Sequence, residues 1–258
     1  MQPFIIYTHR QRPELEAQID TFGKVWPEFI FHGEAAAQYY HHTTTTFADF
    51  NLYLCAADGN LVAVGLALPL AWDGQVETLP EGWDAALERG VRDYEHQRRP
   101  TALCALGIMV RQERQGEGWS TQALRAMKAA AAEHGLEALI APVRPTLKSI
   151  YPVTPMDRYI QWRRDDGSPF DPWIRVHWRE DATILRIAAR SMLIKGTVAE
   201  WETWAAMRFP DTGRYVIPGA LDPIMIDREV DVGTYVEPNV WMVHRAVSQP
   251  GLDGPSRG

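Results

Sequence analysis

Cysteine is nearly missing from this chain: Cys55 and Cys104 are the only two in 258 residues. Two cysteines cannot build a disulfide framework, and these two fit no metal-ligand spacing. Both sit in apolar, strand-like runs, where a free thiol packs as a small hydrophobe, so both are expected to be buried and inert. Long hydrophobic runs are absent too. None approaches the ~20 residues of a membrane span, and Met1–Arg10 lacks the apolar core of a secretory leader. A cytoplasmic protein with no membrane partner is the expectation. Positive charge is scarce: 26 Lys+Arg against 33 Asp+Glu leave a net charge of −7. With no basic stripe, duplex nucleic acid is excluded as a partner. The histidines offer no metal centre. His41-His42 has no third ligand at metal spacing, and His32-Gly33-Glu34 is not followed by Pro-Cys-x-x-Cys. No internal repeat and no low-complexity linker interrupts the chain.

What is present is the composition of a globular domain, 46% hydrophobic and 23% charged. The apolar pattern predicts a short strand at Phe4–Thr8 and a helix over Pro13–Phe22, with Leu15, Ile19 and Phe22 on one face. A small helix follows at Glu34–Tyr40. Leu52–Ala57 and Leu61–Leu68, separated by Asp58-Gly59-Asn60, read as a β-hairpin. Trp83–Gln97 reads as a helix. Thr101–Val110 is almost wholly apolar, as a strand buried on both faces would be. Ser120–His134 is an Ala-rich helix ended by Gly135, and Ala138–Val143 is a further strand. Strand, glycine loop, helix and strand in that order make the fold α/β or α+β. Beyond a proline-broken loop, Asp171 caps a short helix with Pro172 in its first position. Strands are expected at Thr183–Ala188, Met192–Ile194, Arg214–Ile217, Pro223–Ile226 and Val240–His244, with a short helix at Val198–Met207. Ten tryptophans crowd toward the last hundred residues, where Trp201, Trp204 and Trp241 are read as core.

The most informative segment is Gln115-Gly116-Glu117-Gly118-Trp119-Ser120, between a buried strand and a helix start. Glycines let backbone N–H groups turn inward, and a helix N-terminus adds positive potential, so the segment suits a phosphate group without any lysine. A plain strand-to-helix turn is the competing reading. A Walker loop is excluded because Gly-Lys-Ser/Thr is missing. A dinucleotide fingerprint is excluded because position 121 is Thr and Arg144 stands where the acid is needed.

The run from Val110 to Ser120 resembles the acyl-CoA signature of the GNAT acyltransferase superfamily. Gln115 takes the first position, Gly118 the second, and Ser120 replaces the last small residue, where it can also cap the helix. This resemblance implies that amides of Gln115, Gly116, Glu117, Gly118, Trp119 and Ser120 bind the coenzyme A pyrophosphate. It implies equally that the strand edge Ile108, Met109 and Val110 pairs with the pantetheine arm. A second likeness lies in Asp171–Ala182. His177 stands where the superfamily places a Tyr that serves as general acid, and Asp181-Ala182 replace the usual Gly-Phe. The likeness covers roughly residues 52–187.

The fold so implied is α/β (α+β), a mixed, splayed central sheet flanked by helices. Residues 1–190 form the acyl-CoA-binding domain, 191–247 a Trp-rich extension packed on it, and 248–258 a flexible tail. The implied function is acyl transfer from acetyl-CoA or another acyl-CoA to an amine, on a small molecule or a protein. The usual strand carboxylate is missing, because Thr101–Val110 contains no Asp or Glu. His177 can act as acid or base near neutral pH. Thr146, after the fifth strand, together with His177 resembles the pair in GNAT-like domains of polyketide loading modules. That keeps open malonyl-CoA decarboxylation with acyl transfer to a carrier-protein thiol, and a non-catalytic binding module is a third reading. Arg144 and Lys148 flank Thr146 and are candidates to meet an anionic substrate. Glu200 and Glu202 are reserve candidates for a base.

Overall fold

The sheet begins at an edge. In the computed structural model, which describes residues 3–23 and 25–245, strand β1 (Phe4–Thr8) pairs antiparallel with β2 (Leu52–Ala56). The hairpin to β3 (Leu61–Leu70) turns at Asp58-Gly59-Asn60, where Gly59 has φ +84° and Asp58 accepts from the Asn60 N–H. β3 pairs antiparallel with β4 (Ala102–Val110), and β4 pairs parallel with β5 (Ala138–Val143). The remaining strands are β6 (Thr183–Gly196), β7 (Gly213–Tyr215), β8 (Ile224–Asp227) and β9 (Val232–Arg245).

β9 organises the second half of the sheet. β6 lies along one edge of it. Its other edge is shared, with β5 pairing to Val240–Arg245 and β8 to Val232–Thr234. Between those two partners, the stretch from Tyr235 to Asn239 faces no strand on that edge. β6 is one long irregular strand where two short ones were expected, and it runs straight through residue 190. The extension therefore shares the central sheet. Residues 248–258, expected to form a tail, lie outside the described residues.

Helices α2 (Trp83–Glu95) and α3 (Trp119–Glu133) cover opposite faces of the sheet. Ala123, Leu124, Met127, Ala130 and Ala131 of α3 pack with Leu103, Ala105 and Leu139. Ala86, Leu87 and Val91 of α2 pack with Cys104, Leu106 and Ile140. Both thiols are buried in these cores. α3 ends where its sequence says it must: Gly135 adopts φ +67°, and the Leu136 and Gly135 N–H groups return to the carbonyls of Ala131 and Ala132. α1 (Glu34–Tyr39) packs on α2. The short α4 (Met156–Tyr159) and α5 (Pro172–Arg179) join the α3 side. Asp171 caps α5, accepting from the N–H groups of Trp173 and Ile174. Pro13–Phe22, expected to be α-helical, forms 3-10 turns instead. A third core gathers Phe29, Trp201, Phe209 and Tyr235 around α6 (Val198–Ala205). Trp201 and Trp241 are fully buried, as core tryptophans are expected to be.

Candidate active site

β4 and β5 are paired only from Ala102–Cys104 to Ala138–Ile140. Beyond Cys104 they part, and the cause is visible in β4. Its register with β3 slips between Leu66 and Ala67, leaving Leu106 as an extra residue. The extra residue reverses the alternation of faces. Before it, Leu103 and Ala105 point to the α3 side; after it, Ile108 and Val110 do. The bulged carbonyl of Leu106 accepts from the Trp83 indole N–H at 2.8 Å. The edge of Ile108, Met109 and Val110 is thus freed from β5, as pairing with an extended pantetheine arm requires.

A cavity of about 290 Å³ occupies the opening. Ala105–Met109 form one wall and Ala141–Arg144 another; Trp173 and His177 of α5 line it on one side of the sheet. On the opposite side Trp26, Phe31, Tyr40 and Trp83 enclose it, with Met192, Glu237 and Asn239 from the extension.

The glycine loop leads from the end of β4 into α3. Gly116 and Gly118 adopt φ +84° and +87°, a region costly for other residues. A Cβ built on either would meet nothing within 4 Å, so the space before the helix is open. Gly118 is the N-cap, with no side-chain bond capping the helix. Ser120, expected to serve as a cap, lies one residue inside the helix. Gln122 is the first residue whose N–H returns to the Gly118 carbonyl; the amides of Trp119, Ser120 and Thr121 are left for an anion. Glu117 is turned aside: its carboxylate accepts from Trp119 Nε1 at 3.0 Å and Arg114 Nε at 2.8 Å. Those two donors hold its pKa below the usual carboxylate range. The residues present fit a pyrophosphate.

His177 is buried to 1% exposure and sits edge-on to the Trp173 ring, with centroids 4.5 Å apart. Trp178, next to it in the chain, is half exposed. The second neighbour is His244 of β9, whose Nε2 lies 3.0 Å from His177 Nδ1. His244 Nδ1 lies 3.0 Å from the Glu180 carbonyl. Burial first, and the neighbouring imidazole second, push the His177 pKa down to about 3. At neutral pH His177 is therefore uncharged.

Thr146 does not join it. Its side chain is exposed, and it is not among the residues lining the cavity. Lys148, also a candidate for anionic substrate, is wholly buried and donates to the carbonyls of Leu221 and Tyr151 and to Asp222. Glu200 closes a capping box with Thr197, and Glu202 accepts from the Phe209 N–H. Neither lines the cavity.

The cavity carboxylate is Glu237, which sequence reasoning missed. It is fully buried and accepts from Arg144 Nε at 2.9 and 3.1 Å, from the Tyr235 hydroxyl at 3.0 Å, and from Asn239 Nδ2 at 3.3 Å. Arg144, expected to meet substrate, spends its charge on this pair and on the Gly219 carbonyl at 2.6 Å. The signal was available: an acid inside an otherwise apolar strand. It fell outside the expected strand, which began at Val240. Behind it, Ser191 Oγ donates to Asn239 Oδ1 at 2.5 Å and accepts from the Trp83 N–H at 2.9 Å.

A mixed sheet that parts at its one parallel pair, over a cavity and beside a glycine-led helix start, defines an acyl-CoA-binding acyltransferase fold. No family model matches the chain. Among curated proteins it is 32% identical, over 93% of both chains, to arginine N-acetyltransferase avaD of Aspergillus versicolor. Its fold matches the loading GNATL domain of CurA from Lyngbya majuscula at TM-score 0.59, with 13% identity over 95% of this chain and 98% of that one. It also matches the GphF GNAT-like decarboxylase in complex with isobutyryl-CoA, at TM-score 0.57 and 18% identity over 93% and 98%. The chain belongs to the GNAT superfamily and is an acyl-CoA-dependent acyltransferase of the N-acetyltransferase kind. No helix among the described residues is long and apolar enough to cross a membrane.

Proposed function

We propose that the protein transfers an acetyl group from acetyl-CoA to a nitrogen of arginine or a small arginine-like amine. The observation that carries this reading is the likeness to arginine N-acetyltransferase avaD along 93% of both chains. That span is not confined to the coenzyme-binding core. It takes in the acceptor-side walls, which come from segments as far apart as Trp26 and Asn239. The cavity supports the reading chemically. Its apolar walls exclude water from a thioester, and the paired Arg144 and Glu237 with Asn239 give it a polar end where an acceptor can be oriented. The decarboxylation reading required Thr146 beside His177, and an exposed Thr146 gives it no support.

The test is release of free coenzyme A from acetyl-CoA, followed with a thiol reagent across arginine, agmatine, ornithine, lysine and spermidine. Mass spectrometry of the products identifies the acetylated nitrogen. Thiol release dependent on arginine or agmatine is expected. Release only with non-guanidino amines, or loss of CO2 from malonyl-CoA without amine acylation, overturns the assignment.

A further inference from the structure

The hydrogen-bond chain through His177 has a direction. A carbonyl only accepts, so at the 3.0 Å contact with Glu180 the proton sits on His244 Nδ1. A neutral His244 then presents a lone pair at Nε2. The 3.0 Å contact with His177 closes only if His177 Nδ1 carries the proton. The reverse arrangement would set the His244 Nδ1 lone pair against the carbonyl oxygen. His177 Nε2 is consequently the unprotonated nitrogen. It makes no hydrogen bond among the described residues, and His177 lines the cavity. The residue at the superfamily's acid position is held in the tautomer of a base.

A lone buried imidazole is a poor base, since a charge on it is costly. His244 is set apart by its surroundings. Burial lowers its pKa too, and Lys128 of α3 adds to that, but the Glu180 carbonyl and carboxylate and Asp181 pull the other way and favour a positive charge on it, which no group does for His177 among the described residues. Lys128 Nζ also donates to the Glu180 carbonyl at 2.9 Å, and Arg125 of α3 pairs with the Glu180 carboxylate at 2.8 Å. On the His177 side the neighbouring ring is Trp173, which carries no charge.

We propose that His177 and His244 form a two-histidine proton relay, with His177 the catalytic base and His244 the positioning residue that receives the charge. The proposal rests on the acyl-transfer reading above. His177 Nε2 takes a proton from the acceptor ammonium as the Nδ1 proton passes to His244 Nε2, so the positive charge moves from substrate to His244. The freed amine forms its bond to the thioester carbonyl carbon. The C–S bond then breaks, and the departing sulfur takes the Nε2 proton from His177. His244 returns its proton to His177 Nδ1, and the second nitrogen proton leaves to solvent. The relay ends in the tautomer it began with, having served first as base and then as acid.

His244→Gln tests this, because glutamine can still accept from His177 Nδ1 and donate to the Glu180 carbonyl but cannot hold the charge. With a protonated amine at pH 7, kcat should fall about a hundredfold, the size of a lost proton-transfer catalyst. KM for acetyl-CoA should be unchanged. The loss should shrink as the pH approaches the acceptor's own pKa, and should be small with hydroxylamine, which arrives neutral. A loss equal at every pH and with hydroxylamine, or no loss, overturns the relay. A second measurement needs no acceptor. Nitrogen-15 NMR of the substrate-free full chain should show His177 protonated at Nδ1 and bare at Nε2. The opposite tautomer overturns the relay even if arginine is acetylated. An inert wild type with arginine overturns the acceptor assignment alone.

Discussion

Arg144 and Glu237, 93 residues apart in the chain, meet at the floor of the cavity with Nε shared between both carboxylate oxygens. They bind the end of β5 to the stretch of β9 that pairs with β6 alone. Glu237 has no exposed surface, so its charge depends on this partner. Removing one member of a buried pair costs about 3–5 kcal/mol, because the other is left uncompensated. Arg144→Ala should lower the urea midpoint accordingly, and Arg144→Met with Glu237→Gln should recover most of it. An Arg144→Ala protein as stable as wild type would mean that the pair does not hold the two strands together.

Gly118→Asp tests the anion cradle. The substitution puts a side chain and a negative charge into the open space before α3, at a backbone φ of +87°. Coenzyme A affinity by calorimetry should fall below detection while the circular dichroism spectrum stays native. Unchanged affinity in the folded variant would move the pyrophosphate site elsewhere.

For His177→Ala, turnover should drop by about a hundredfold with coenzyme A binding nearly intact, as expected for a lost proton-transfer group. Packing predicts something else from the same change, a lower melting temperature with full activity per folded molecule. Measuring both on one preparation separates the two. The buried neutral imidazole also predicts acid sensitivity. The folded pKa near 3 lies below the unfolded value of ~6.5. Its contribution is therefore whole above pH 6.5 and is lost as the pH falls toward 3. A His177→Gln variant should lose less stability across that window than wild type.

Asp84 acts with the opposite sign. Oδ2 accepts from the Leu193 N–H at 2.8 Å, but Oδ1 is buried with no partner among the described residues. Burial pushes its pKa up to about 6, against the pull of that hydrogen bond. Above the unfolded value, ionising it in place costs stability, so wild-type stability falls as pH rises through the window from about 4 to 6. Asp84→Asn keeps the acceptor for Leu193 and removes the charge. Its melting temperature should gain on wild type as pH rises from 4 to 7. A constant difference across that range would show that Asp84 does not ionise there.

Much of the first 190 residues could be read from pattern. The hairpin at Asp58-Gly59-Asn60, the Ala-rich α3 with its Gly135 stop, and the Asp171 cap of α5 all depend on contacts a few residues apart. Local chemistry decides such features. The glycine loop was legible for the same reason, since Gln115–Ser120 carries its conformational requirement in its own residues. The extension was harder. By sequence β6 reads as two strands because Arg190 and Ser191 interrupt its apolar run, and β9 reads as starting at Val240 because Glu237 and Pro238 interrupt its own.

The chain's own residues mark the class of protein, the strand–loop–helix whose free amides suit a pyrophosphate, and the place of His177 on a capped helix. Each is a short-range property, set by backbone preference and side-chain periodicity. Which side chains share the cavity is set by the packing of distant segments. A one-residue bulge at Leu106 parts β4 from β5, and it exists only in the pairing with β3. Thr146, near in sequence to the site, points to solvent. From a strand late in the chain, Glu237 enters the cavity and His244 reaches His177 behind it. Their roles come from partners 93 and 67 residues away. No local pattern records such pairings, because the energy that makes them comes from burying charges and rings against groups that folding alone brings within reach.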